Sequence, residues 1–143
     1  MTIKTMVSFA LIYLLIFSSC TQNPAFSISE DLKNGLHDEY STYVNYLNRA
    51  VSGDTIALIN LFNINVADGA CYGHGSILYK LLVKIGDEKF YRGVLKLKKD
   101  QYNNMQTYFY CGLDVDGNLC EKWWEKYPLT FNYLKIKVGE NGK

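Results

Sequence analysis

Proline is scarce in this chain, with 2 in 143 residues, and 48% of the residues are hydrophobic, which together exclude a disordered tail. Charge of one sign is lacking too. Fifteen basic and 14 acidic residues leave a formal net charge of +1, without the strong basic excess of a dedicated nucleic-acid binder. There is no apolar run of the roughly 20 residues that a membrane-spanning helix needs. No Gly-rich phosphate loop and no Ser-His-Asp signature is present, and paired catalytic carboxylates do not stand out from ordinary helix caps. With 2 histidines, familiar zinc-ligand spacing is also missing, so no metal and no cofactor is expected. What remains is a length that suits one packed domain.

The N-terminus reads as an address. Lys4 supplies a lone positive charge, and Val7 to Phe17 is an apolar run interrupted only by Ser8. The small residues Ser18 and Ser19 follow, and then Cys20. The stretch Leu15-Ile16-Phe17-Ser18-Ser19-Cys20 resembles the lipobox of a bacterial lipoprotein signal in its relaxed, Bacteroidota-like form, with Phe17 where leucine is commonest. That resemblance implies removal of residues 1–19 and thioether lipidation of Cys20. A multiply acylated cysteine anchors firmly, at about 0.8 kcal/mol per buried methylene. The expectation is an outer-membrane lipoprotein facing the periplasm or the cell surface. Residues 20–29 would be a tether, residues 30–138 one helical domain, and residues 139–143 a tail.

Hydrophobic periodicity predicts a mainly α fold, a compact multi-helix array. Ser29 can cap a helix that begins at Glu30 and carries Leu32, Leu36, Tyr40, Tyr43, Leu47 and Val51 on one face, with Gly35 its weak point. Gly53-Asp54 and Gly86-Asp87 each read as a stop followed by a cap. Between them a loop over 63–69 leads into a long helix with Ile77, Leu78, Leu81 and Leu82 inside, Lys80 and Lys84 outside. Beyond Asp100, Tyr102, Met105, Phe109 and Leu113 mark the buried side of another helix. A last helix is expected to end before Pro128, and Phe131 to Val138 suits a short strand or a frayed helix. The two Gly-Asp junctions lie 33 residues apart, a spacing found in stacked helix pairs of HEAT-like type. The run Asp68-Gly69-Ala70, Tyr72-Gly73-His74-Gly75, then Gly86-Asp87 and Phe90, loosely resembles small helical envelope proteins, which implies no activity.

Several residue groups are candidates for chemistry. Cys71 and His74 would share a helix face, as a thiol nucleophile and its base require; alternatively Tyr72-Gly73-His74-Gly75 is a helix start whose small residues permit close helix approach. Adding His37 gives a poor zinc set. Besides Cys20, the cysteines are Cys71, Cys111 and Cys120; a Cys111–Cys120 disulfide would staple one turn, and pairings with Cys71 are the alternatives. Asp114, Asp116, Asn118 and Glu125 look like oxygen ligands of an EF-hand loop, but Leu119 replaces its glycine and Lys122 adds a cation. An Asx-rich turn is the plainer account.

Trp123 and Trp124 are adjacent, so one of them should be exposed, as binding hot spots are. Residues 80–99 hold seven bases, Lys84, Arg92 and Lys96 among them, against Asp87 and Glu88. Such a surface suits an acidic partner. These features point to a non-enzymatic, lipid-anchored module that contacts another protein, a toxin in the most specific version. A glycan-binding lipoprotein, an envelope-assembly subunit and a small Cys-His hydrolase are the alternatives.

Overall fold

Short polar side chains start the first helices, in a computed structural model that describes residues 23–115 and 123–135. The Ser29 hydroxyl accepts from the Leu32 amide at 3.3 Å and opens α1, Glu30–Leu36. The single helix expected through to Val51 is broken at His37, which takes φ 44° and leads into a 3-10 turn, His37–Glu39. α2, Tyr40–Val51, follows. The weak point is therefore not Gly35. That glycine lies against Ala70, where a Cβ would come within 2.5 Å of the alanine methyl.

Asp54 caps α3, Thr55–Phe62, through the Ile56 and Ala57 amides at 2.9 and 3.0 Å. α4, Gly69–Ile85, ends at Gly86, whose φ of 86° suits glycine. α5, Asp87–Val94, then leads to α6, Lys99–Val115. Two short helices, α7 (Trp123–Lys126) and α8 (Pro128–Leu134), complete the described chain. The fold is mainly α, and no described helix is long and apolar enough to cross a membrane.

Three boundaries differ from expectation. Pro128 begins a helix; at its first position the missing N–H has no intrahelical acceptor to lose. Phe131 to Leu134 is accordingly helix and not strand, while residues 136–138 lie outside the described residues. Residues 23–28, assigned to the tether, are fastened along α2. Asn48 accepts from the Ala25 amide at 2.7 Å and donates to the Asn23 carbonyl at 2.9 Å, and Phe26 and Ile28 pack on the core.

The two Gly-Asp junctions are also unlike each other. Asp54 caps its own helix, whereas Asp87 is the first residue of α5 and caps α8, accepting from Leu129 and Thr130 amides at 2.8 and 2.9 Å. Tyr127, at the α8 boundary, provides no side-chain cap. Asp87→Ala is expected to cost about 1 kcal/mol, as lost N-caps do. Amide exchange should then accelerate from Leu129 through Leu134, and unchanged exchange there would show that the cross-helix cap is absent in solution.

The core gathers around α4, against which α1, α2, α5 and α6 all pack. An aromatic chain joins the outer helices: Phe62 to Phe90 at 4.8 Å between ring centroids, Phe90 to Phe109 at 5.7 Å, and Phe109 to Phe131 at 5.9 Å. Such tilted and edge-on contacts add about 0.5–1.5 kcal/mol each beyond area burial. Where α4 crosses α6, Gly75 faces Gly112. A Cβ on Gly75 would lie 2.6 Å from the Gly112 nitrogen and closer still to the Tyr108 carbonyl oxygen. The small residues of the α4 start do permit close approach, and Gly112 supplies the matching gap.

Candidate functional site

Polar chemistry in the interior centres on His74, one turn along α4 from Cys71. Its ring is fully buried between Tyr43, edge-on at 5.6 Å, and Tyr108, edge-on at 4.7 Å. Tyr43 Oη lies 2.9 Å from His74 Nδ1. Burial holds the Tyr43 phenol far above its ordinary pKa, so the phenol keeps its proton and donates it. His74 therefore accepts at Nδ1 and carries its hydrogen on Nε2, which is buried with no hydrogen-bond partner among the described residues. The Tyr108 hydroxyl accepts from the Val66 amide at 3.1 Å and faces Asn65 Oδ1 at 3.2 Å.

Desolvation depresses His74 to about 3 and, first among its causes, raises Cys71 to about 12. A weakly basic imidazole beside a thiol that resists ionisation is the reverse of an activated nucleophile and base. His37, the third member of the zinc set, is exposed on the 3-10 turn. Among the described residues no three His, Cys, Asp or Glu side chains gather as a metal site. Of the candidate calcium loop, Asp116 and Asn118 and the Asp114 side chain lie outside the described residues, and Glu125 is exposed on α7. Cys120 and the Trp124 side chain also lie outside them.

Trp123 is built into the edge of the core. It stacks on Tyr127 at 5.6 Å with an interplanar angle of 9°, meets Tyr79 edge-on at 4.6 Å, and has the Lys126 ammonium 5.3 Å from its ring centroid. Its indole Nε1 is buried.

A second aromatic group lies at the surface, with Tyr133 exposed and Tyr91 and Tyr102 half-buried. α5 and α8 run side by side in the same direction, with Asp87 at the start of α8 and Tyr91 beside Tyr133. Tyr91, Tyr133 and Tyr102 form a row with centroids 5.6 and 5.8 Å apart. The row is fixed from α6: Tyr102 Oη donates to the Tyr133 carbonyl at 2.8 Å, and Gln106 donates to the Leu134 carbonyl. One helical turn from Tyr91 is Leu95, and one turn from Tyr133 is Leu129, both 44% exposed.

Arg92 and Lys96 are exposed four residues apart, and Arg92 lines a cleft with Lys89, Asp54 and Leu58 on the α3 side of α5. Arg92 pairs with Glu88 at 2.5 Å. Lys89, Lys96, Lys98 and Lys99 are exposed, with no described carboxylate within ion-pair distance. Lys84 stands apart from this row of contacts, on the outward side of α4 with Lys80 and Val83. Tyr102 is half-buried against the core, on the side of its helix where the sequence places it; the exposed Leu129 was not foreseen. On a helix from Pro128, however, Leu129 and Tyr133 fall on the side opposite Phe131 and Leu134, a signal hidden only by reading Pro128 as a stop.

A cleft of about 340 Å³ lies between the chain before α1 and the start of α4, lined by Ser29, Asp31, Tyr72, Ser76, Ile77 and Lys80. Its charges oppose each other, so it selects no single sign of ligand. The described residues define a mainly helical domain with a tyrosine row across α5, α6 and α8 and exposed cations in and just after α5. No family profile, curated protein or solved structure matches the chain.

Proposed function

We propose that this chain is a lipid-anchored binding module of the bacterial envelope, held by acyl chains on Cys20 and docking an acidic protein through the face formed by α5 and α8. In its most specific form it is an immunity protein that neutralises an antibacterial toxin from a neighbouring cell. The observation that carries the reading is the row Tyr91–Tyr133–Tyr102, edged by the exposed Leu95 and Leu129, with the exposed cations Arg92 and Lys96 further round the same segment. Tyrosine and arginine are enriched at interface hot spots because a rigid amphipathic ring buries area at low entropic cost. Exposed lysines with no carboxylate within ion-pair distance among the described residues favour association with negative charge and raise the on-rate.

The test has two parts. Arg92→Glu with Lys96→Glu, and separately Tyr133→Ala, are expected to reduce recovery of the partner on co-purification from membranes by tenfold or more. The melting transition should shift little, since these side chains are exposed. Retention of the same partner by both variants would overturn the docking face. Immunity itself is read from mixed growth of a strain lacking the protein with its parent, under conditions where the parent is shown to deploy its toxins. Selective death of the mutant on surface contact, but not in liquid, is the expected result. Equal survival in both formats would remove immunity and leave an assembly or glycan-binding role.

A further inference from the structure

We propose that Cys71 and Cys111 are a disulfide site, closing on exposure to a disulfide donor into a covalent bolt between α4 and α6. The inference stands on the helix crossing and is independent of the function proposed above. Ordinary helix pairs keep their axes about 8–10 Å apart. A disulfide needs Cα atoms about 4.4–6.8 Å apart, so the bridged residues must lie where the two helices meet. Here the two backbones touch: a Cβ on Gly112 would lie 2.6 Å from the Gly75 carbonyl oxygen and 2.7 Å from the Ser76 nitrogen.

Cys71 lies one turn before Gly75 on α4, and Cys111 directly precedes Gly112 on α6. Cys71 and Cys111 are close enough to act on each other electrostatically, and both act on the Tyr108 phenol, which is raised first by desolvation. Both thiols are free in this structure, Cys71 buried and Cys111 half-exposed.

Access sets the order of events. The Cys111 thiolate, the more exposed, attacks one sulfur of a small disulfide such as oxidised glutathione; a mixed disulfide forms and one glutathione leaves as its thiolate. Cys71 then loses its proton and attacks the Cys111 sulfur, and the second glutathione leaves. The protein gives up two protons and two electrons, and the donor disulfide becomes two thiols. Cys71 is a poor first attacker because its thiol, raised to about 12, stays protonated.

This pairing competes with the Cys111–Cys120 staple, since Cys111 can bond only one partner, and trypsin separates the two. Cleavage after Arg49, Lys80, Lys99 and Lys122 puts Cys71 on residues 50–80 and both Cys111 and Cys120 on residues 100–122. Full-length protein in detergent is reduced, incubated with oxidised glutathione, alkylated and digested. The expected result is a cross-linked pair of these two peptides, retained in Cys120→Ser and lost in Cys111→Ser. The oxidised form should melt roughly 10 °C above the reduced form. A bond within residues 100–122, or alkylation of both Cys71 and Cys111 after oxidation, would overturn the proposal.

Discussion

Gly75→Ala is expected to destabilise the domain by about 3 kcal/mol or more, although alanine is the better helix former. The two effects have opposite signs, so the experiment decides between them. Helix propensity alone favours alanine over glycine in a helix interior by about 0.8–1.0 kcal/mol. Against that, the new methyl group would meet the Tyr108 carbonyl and the Gly112 backbone, and neither is the tip of a flexible side chain. Relief requires moving α6 away from α4, which loosens Phe109 and Leu113, both buried on α6. Gly112→Ala should behave alike, because its methyl group would enter the Gly75 carbonyl region. Once one substitution has opened the crossing, the second should cost less, so the double variant falls short of the sum. Urea unfolding of the three variants gives the values. Stabilisation of Gly75→Ala by about 1 kcal/mol would mean that the helices do not touch at this point.

That crossing shows what a single sequence discloses and what it withholds. The small residues around His74 announce that something packs closely on the start of α4, because glycine in a helix costs stability unless space demands it. They do not announce what packs there. Gly112 lies 37 residues further on, and pairing over that distance leaves no local periodicity. Caps divide in the same way. Ser29 and Asp54 were legible because each bonds amides within three residues of itself. Asp87 has the same chemistry but spends it on Leu129 and Thr130, so its local pattern points to the wrong helix.

The candidate docking face was legible in its charges and not in its aromatics. Arg92 on α5 and Lys96 in the turn just after it are read from local spacing, whereas Tyr102 and Tyr133 meet only after α6 and α8 are packed. Trp123 is half-buried, held at the edge of the core by its stack on Tyr127 and its edge contact with Tyr79, while the Trp124 side chain lies outside the described residues.

Acidification should expose the burial of His74. Its pKa is 6.5 in the unfolded chain and about 3 in the fold, where desolvation opposes the charged ring. Between those values the unfolded state binds the extra proton, so stability is fully present above about pH 6.5 and declines as the pH falls toward 3. At pH 5 the loss is about 2 kcal/mol, a large share of the margin of a small domain.

Other groups near the ring do not mimic this slope. The Tyr43 and Tyr108 phenols and the Cys71 thiol are all raised and remain neutral throughout the range. Asp54 is lowered, first by the Ala57 amide and then by Arg49, so its contribution is lost only as the pH falls below the ordinary carboxylate value. Urea midpoints at pH 7.5, 6 and 5 should therefore fall progressively, while the His74 imidazole signals in NMR stay fixed across the same steps. Tyr43→Phe removes the donor to Nδ1 and leaves the ring buried, so the slope should persist on a less stable protein. Midpoints that do not change from pH 7.5 to 5, together with His74 signals that titrate, would show that the native ring is open to protons. The arrangement of Tyr43, His74 and Tyr108 described here would then be wrong.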